Sequence, residues 1–247
     1  MSSAVVLLSS GLDSTINLYL AHRELEIKAV LTFDYGQRAA KKEIEKSKIQ
    51  CEILGLRHEV IELPWLRAIT KTSLVNRAAD VPVGAEIGMD SLEQSELTAE
   101  RVWVPNRNGA FLNIAAAFAE SLEADFVVPG FNREEAATFA DNSHDFLLAL
   151  DESFSYSTRS KVQTLCYTQH LNKIEIARLG LELQAEMGLN FDLMWPCYFD
   201  NETLCGRCES CQRFYRAVTI AKAELTVGEQ KHQIAPRAEG PSADALS

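Results

Sequence analysis

The sequence predicts an α/β protein: a Rossmann-like open parallel sheet with helices on both faces, followed by a small cysteine-rich C-terminal segment. Three observations predict it. Apolar, β-branched runs at residues 4–8, 27–33 and 59–63 alternate with stretches of helical period. The first run stops at a small-residue loop, Ser9-Ser10-Gly11-Leu12-Asp13-Ser14-Thr15, and helical spacing resumes at Ile16, Leu18, Tyr19 and Leu20. Four of the six cysteines fall within residues 197–211.

Each element follows from its own pattern. The run at 4–8 reads as a buried strand, and the loop after it leads into the first helix. A second strand at 27–33, a helix at 39–54 and a third strand at 59–63 complete βαβαβ, the order of a parallel sheet. Periodicity fades from 64 to 100, an acid-rich stretch with Pro82, Gly84 and Gly88 that reads as an irregular insertion, either a lid or a solvated excursion. Order returns at 102–109, followed by a helix at 110–122 and a strand at 125–128. A polar loop over 130–143 precedes a helix from about 143 to 154, capped by Ser143 or Asn142. The last strand is expected at 162–167, an amphipathic helix at 173–187 and a final helix at 212–223. Domain boundaries follow: an α/β domain over 1–190, a cysteine-bearing helical segment over 191–227, and a tail over 228–247 expected to be disordered.

Bulk properties narrow the function. With 247 residues, 47% apolar and 24% charged, the chain is composed like a soluble globular protein, and no apolar run reaches the roughly 18 residues of a membrane span. A cytosolic location without membrane contact is expected. The formal net charge of −11 and the lack of a basic run disfavour a nucleic-acid partner, which needs clustered Lys and Arg. Small anionic ligands remain compatible.

The loop from Leu8 through Ser9, Ser10, Gly11, Leu12, Asp13, Ser14 and Thr15 aims backbone N–H groups and a helix N-terminus at one point, an arrangement that holds phosphate. It has neither the Lys-Ser/Thr ending of a P-loop nor a GxGxxG fingerprint; an ordinary capped turn is the other reading of the string alone. At the same sheet edge, Asp34, Tyr35 and Gln37 end the second strand and can meet a nucleotide or a purine-like base, or form a plain turn. Arg107 can grip phosphate or carboxylate bidentately, and Asn108 stands beside it as a second contact or as a helix cap. Glu134, Glu135 and Asp141 offer acceptors to a guanine-like base. Cys197, Cys205, Cys208 and Cys211, with Gly206 in the turn, have the spacing of a closed tetrahedral site; zinc is the natural occupant, with an iron–sulfur cluster the competitor. Four protein ligands leave no open position, so the expected role is structural.

The loop resembles the SGGxDS pyrophosphate loop of the N-type ATP pyrophosphatases. Together with Asp34-Tyr35-Gly36-Gln37, Val104-Pro105-Asn106-Arg107-Asn108 and the cysteine knuckle, residues 3–222 resemble the 7-cyano-7-deazaguanine synthase family. The resemblance implies that 7-carboxy-7-deazaguanine is adenylated by ATP, attacked by ammonia to give an amide, and adenylated again to leave a nitrile. It implies Mg²⁺ with the ATP, Asp13 and Ser14 acting at the pyrophosphate, Lys173 neutralising the departing charge, and a homodimer. Two departures stand out: Ser10 occupies a loop glycine position, and the 130–143 loop ends Asp141-Asn142-Ser143 where the family carries Asp-Cys-Arg. A related pyrophosphatase acting on another carboxylate or stopping at the amide, a tRNA-thiolating enzyme, and an inactive zinc-braced nucleotide-binding module are the alternatives.

Overall fold

The computed structural model describes residues 1–83 and 100–234, residues 227–234 as backbone. Five strands form one parallel sheet: β1 (Ser3–Leu7), β2 (Glu26–Asp34), β3 (His58–Glu62), β4 (Phe126–Val128) and β5 (Gln163–Thr164). Their spatial order is β3-β2-β1-β4-β5. The chain winds outward from β1 in one direction through β2 and β3, then returns to the other side for β4 and β5. A crevice therefore opens beyond the C-terminal ends of β1 and β4, where the winding reverses.

Alternation along the strands divides the core into two layers. Val5 faces a cluster with Ala29, Leu31, Phe33 and Val127, covered by the Arg107–Ser121 and His144–Ser157 helices. Ala4, Val6, Val30 and Val128 face the opposite side against Leu18, Ala21 and Cys51 of the Leu12–Glu24 and Ala40–Leu54 helices. Both faces are buried, which is why the strands read as near-continuous apolar runs. The Lys173–Met187 helix and the final helix pack together over the second face through Ile176, Ala177, Leu183, Phe214 and Ala217.

Helix ends follow local chemistry. Gly55 (φ 67°) and Gly188 (φ 72°) close their helices in the left-handed conformation that glycine adopts without strain. Ser143 accepts from Phe146 N–H and caps the following helix, as expected. Some boundaries move. The expected strand at 162–167 is reduced to Gln163–Thr164, because only these residues pair with β4. The helix expected from 110 starts at Arg107, with Asn106 (φ 48°) as its N-cap position. The 130–143 loop contains a short helix, Arg133–Ala136, and a 3₁₀ turn, Ala140–Asn142. The final helix runs from Glu209 to Ile234, through residues 228–234 of the tail expected to lack order; the remainder, 235–247, lies outside the described residues.

The insertion at 64–100 begins with a helix, Pro64–Ile69. Its next stretch is held by Arg38, which donates to the carbonyls of Ser73, Asn76 and Ala79. Residues 84–99 of the expected lid or excursion lie outside the described residues. Among the described residues, no helix is long and apolar enough to cross a membrane.

Candidate active site

A cavity of about 290 Å³ occupies the crevice at the β1/β4 switch point. The loop after β1 forms its floor. Thr15 N–H to Gly11 C=O, at 3.1 Å, is the first bond of the Leu12–Glu24 helix, so the amides of Leu12, Asp13 and Ser14 precede the intrahelical ladder and serve as donors at its positive end. Ser9 Oγ and Ser14 Oγ lie 3.1 Å apart and fix the loop's curvature across its mouth. Gly130, after β4, packs directly on this turn: a Cβ there would come within 2.5 Å of Ser14 Cα and N. Only glycine lets the ends of β1 and β4 approach this closely.

Ser10 takes φ 60°, the left-handed region where glycine carries no penalty. Its side chain is fully buried and points out of the loop, donating to Glu43 C=O at 3.1 Å and meeting Ser47 Oγ at 2.7 Å. The Ser10 carbonyl accepts Trp195 N–H at 2.7 Å. The extra hydroxyl therefore ties the loop to the Ala40–Leu54 helix and leaves the cavity floor clear.

Lys173 reaches this floor from the start of its helix. Asn172 accepts from Ile174 and Glu175 N–H while Glu175 Oε2 accepts from Asn172 N–H, a capping box that fixes the lysine's Cα. Lys173 Nζ sits 2.5 Å from Asp13 Oδ2 and 2.7 Å from Glu135 Oε1. Burial works against the ammonium, but the two carboxylates outweigh it and hold Lys173 above its usual range. One cation cannot fully satisfy two buried acids. Burial pushes Asp13 up to about 6 against the pull of Lys173, whereas Glu135 is held down by the same lysine despite its burial. Asn132, fully buried, donates to Asp13 Oδ2 at 3.1 Å, and Asp13 Oδ1 is buried with no protein partner.

The opposite wall comes from β2 and the Arg107–Ser121 helix. Arg107 donates to Tyr35 Oη at 3.3 Å, and both line the cavity with Asn108. Asn108 lies inside its helix and donates to Asp141 C=O, so it braces the 130–143 loop and does not cap. Gly109 leaves space for the Asn106 side chain, whose Oδ1 a Cβ would strike. Glu134 accepts Lys173 N–H at 2.9 Å and pairs with Arg213, which also holds Glu209.

The cavity gathers Leu8, Ser9, Gly11, Leu12, Asp13, Ser14, Tyr35, Arg107, Asn108, Glu134 and Lys173. Ser10, Thr15, Asp34, Gln37 and Asp141 lie behind its lining. Asp34 is turned to Gly36 N–H, and Gln37 binds the Tyr35 and Phe33 backbone and Glu43. Asp141, raised by burial against the pull of Arg107, sits beside Asn142. Residues not singled out from sequence as ligands also line the cavity: Glu43, Phe111, Phe139, Tyr198 and Arg213. Their spacing in the sequence carries no signal, because five separate segments bring them together.

The sulfurs of Cys197, Cys205, Cys208 and Cys211 lie within 4.8 Å of one another, with Cys205 and Cys211 at 3.9 Å. Four thiolates at about 2.3 Å from a tetrahedral ion stand roughly 3.8 Å apart, so the cluster fits such an ion. Phe199 N–H points at Cys197 Sγ and Cys208 N–H at Cys205 Sγ, donors that stabilise thiolates. The segment also pairs with the insertion through a Val83–Cys208 bridge and lines the cavity with Trp195, Pro196 and Cys197. A metal here would brace one wall of the site.

A 7-cyano-7-deazaguanine synthase of Bdellovibrio bacteriovorus is 52% identical over 222 residues, 90% of this chain and 94% of the relative. One from Pelotomaculum thermopropionicum is 50% identical over 90% of this chain and 99% of its own. In fold, the chain is similar to a 4-thiouridine synthetase solved as an RNA complex with bound ATP, with a TM-score of 0.50 and 18% identity over 94% of this chain and 54% of that one. The family model described as "Queuosine biosynthesis protein QueC" matches residues 3–222, and the chain belongs to that family.

Proposed function

We propose that this chain converts 7-carboxy-7-deazaguanine and ammonia to 7-cyano-7-deazaguanine with ATP, in queuosine precursor biosynthesis. The observation that carries this reading is the convergence of the phosphate loop, the Lys173–Asp13 pair and Arg107 on one cavity. A carboxylate oxygen leaves poorly, so it is first adenylated. Backbone donors from Ser9 to Ser14 and the Lys173 ammonium stabilise the charge that develops on pyrophosphate. Ammonia then displaces AMP to give the amide, and a second adenylation removes the amide oxygen.

Arg107 and Asn108 are assigned to the acid, and Glu134 and Glu135, which line the cavity, to the N–H edge of its base, with Asp141 behind the lining supporting that wall through the loop that Asn108 braces. Asp13, with its unpartnered Oδ1, suits Mg²⁺ carried with ATP, whose chemistry is to share the triphosphate's charge. The cysteine cluster suits zinc as a structural ion. A base-thiolating activity finds no support in the other thiols: Cys51 is buried and pushed up to about 12, and burial raises Cys166 as well.

The test is pyrophosphate release from ATP in the presence of the deazaguanine acid and ammonia, with amide and nitrile followed by mass spectrometry. Folded, zinc-loaded protein that releases none sinks the reading. Amide without nitrile would restrict it to the first half-reaction.

A further inference from the structure

Glu43 lines the cavity, yet no step above uses it. Building on the proposed synthase reaction, we propose that Glu43 is the catalytic residue of the ammonia subsite, accepting an N–H of the incoming nucleophile and taking the proton it sheds.

The carboxylate is held for such a task. Gln37, only 4% exposed, has its amide fixed by Tyr35 N–H at 3.0 Å and Phe33 C=O at 2.9 Å, and presents Nε2 to Glu43 Oε2 at 2.8 Å. The Glu43 backbone is held by Ser10 Oγ, which places this first-turn residue against the phosphate loop. Among the described residues, no hydrogen bond to Oε1 and no lysine or arginine ion pair is made by this side chain. The charged groups that face it are Arg107, engaged with Tyr35, and Asp34, engaged with Gly36 N–H.

Three ligands must meet in this cavity: ATP, a carboxylate and ammonia. The first two are anions, which a carboxylate without a cation partner repels. The guanine-like edge is assigned to Glu134 and Glu135 after β4, whereas Glu43 comes from the Ala40–Leu54 helix beside β2. Ammonia needs one free acceptor, and Glu43 Oε1 offers it. Burial pushes Glu43 up to about 7, against the Gln37 hydrogen bond and Arg107, so the group exchanges protons near neutral pH, where a general base works best.

In the step itself, the nitrogen lone pair forms the C–N bond. The bond from the acyl carbon to the phosphate oxygen breaks with its electron pair on AMP, and one proton of the nitrogen passes to Glu43. Adenylate, ammonia and carboxylate thus become amide, AMP and carboxylic acid.

The test compares Glu43→Gln and Glu43→Asp with wild type in the zinc-loaded full chain. Exchange of labelled pyrophosphate into ATP, with the acid and no ammonia, reads adenylation alone; amide formation against ammonium chloride from pH 6 to 9 reads the second step. Glu43→Gln is expected to keep exchange within about twofold while kcat/KM for ammonia falls by about 10²-fold, the usual size of a general-base effect. Glu43→Asp should recover part of the loss. Loss of exchange, or a raised KM for ATP or the acid with ammonia dependence unchanged, would overturn the assignment and place Glu43 at the nucleotide or the base. Absence of exchange in wild type would instead defeat the synthase reading itself.

Discussion

Ser10 Oγ lies 2.7 Å from Ser47 Oγ, which turns the side chain at the second loop position into the neighbouring helix and away from the cavity. A serine at this left-handed position is thus accommodated by an exit route for its hydroxyl.

The energetic balance at Ser10 is testable. Ser10→Ala keeps the left-handed strain and loses both side-chain bonds, which should cost about 1–2 kcal/mol in urea unfolding. Ser10→Gly loses the same bonds but relieves roughly 1 kcal/mol of strain, so it should lie nearer to wild type. An alanine variant as stable as wild type would show that the hydroxyl contributes nothing.

Gly130 should tolerate no side chain. With its Cβ position 2.5 Å from Ser14 backbone atoms, Gly130→Ala must push the phosphate loop from β4, costing roughly 1–3 kcal/mol and weakening ATP binding. Gly188→Ala is the control: φ strain costs it roughly 1 kcal/mol, its Cβ meets nothing within 4 Å, and ATP affinity should be retained. Calorimetric titration with ATP separates the two.

Stability should depend on pH through Asp13 and Glu43. Asp13 rises from 3.8 to about 6 and Glu43 from 4.5 to about 7 in the folded chain, both through burial. The folded state then holds protons that the unfolded state releases, so this contribution is present at low pH and is lost as pH rises from about 4 to 7. Wild type should lose stability over that window relative to the Asp13→Asn, Glu43→Gln double variant. Parallel curves for the two proteins would rule out both shifts.

Removal of one metal ligand should loosen the C-terminal segment. Cys205→Ala or Cys208→Ala is expected to abolish zinc binding and cost several kcal/mol of stability, with a red shift from Trp195, now buried and bonded to Phe199 C=O. Full zinc content together with unchanged stability would refute a four-cysteine site.

The sequence by itself determined the parallel sheet, the small-residue loop between β1 and the first helix, and the four-cysteine cluster, because each is written locally. Strands show as apolar runs, the loop as small residues between strand and helix, and the knuckle as cysteine spacing. The Lys173–Met187 helix is legible to its ends, since a capping box and a C-terminal glycine mark both. What local pattern cannot encode is where a side chain points after folding. Asp34 and Gln37 look like ligands in the sequence, yet turn chemistry and the Glu43 carboxylate absorb them. Glu43, Arg213 and Tyr198 look like ordinary surface or core residues, yet line the cavity. Only the tertiary structure decided these, because each depends on contacts between segments remote in sequence: Glu43 with the phosphate loop, Arg213 with Glu134, and Asp13 with Lys173 across 160 positions.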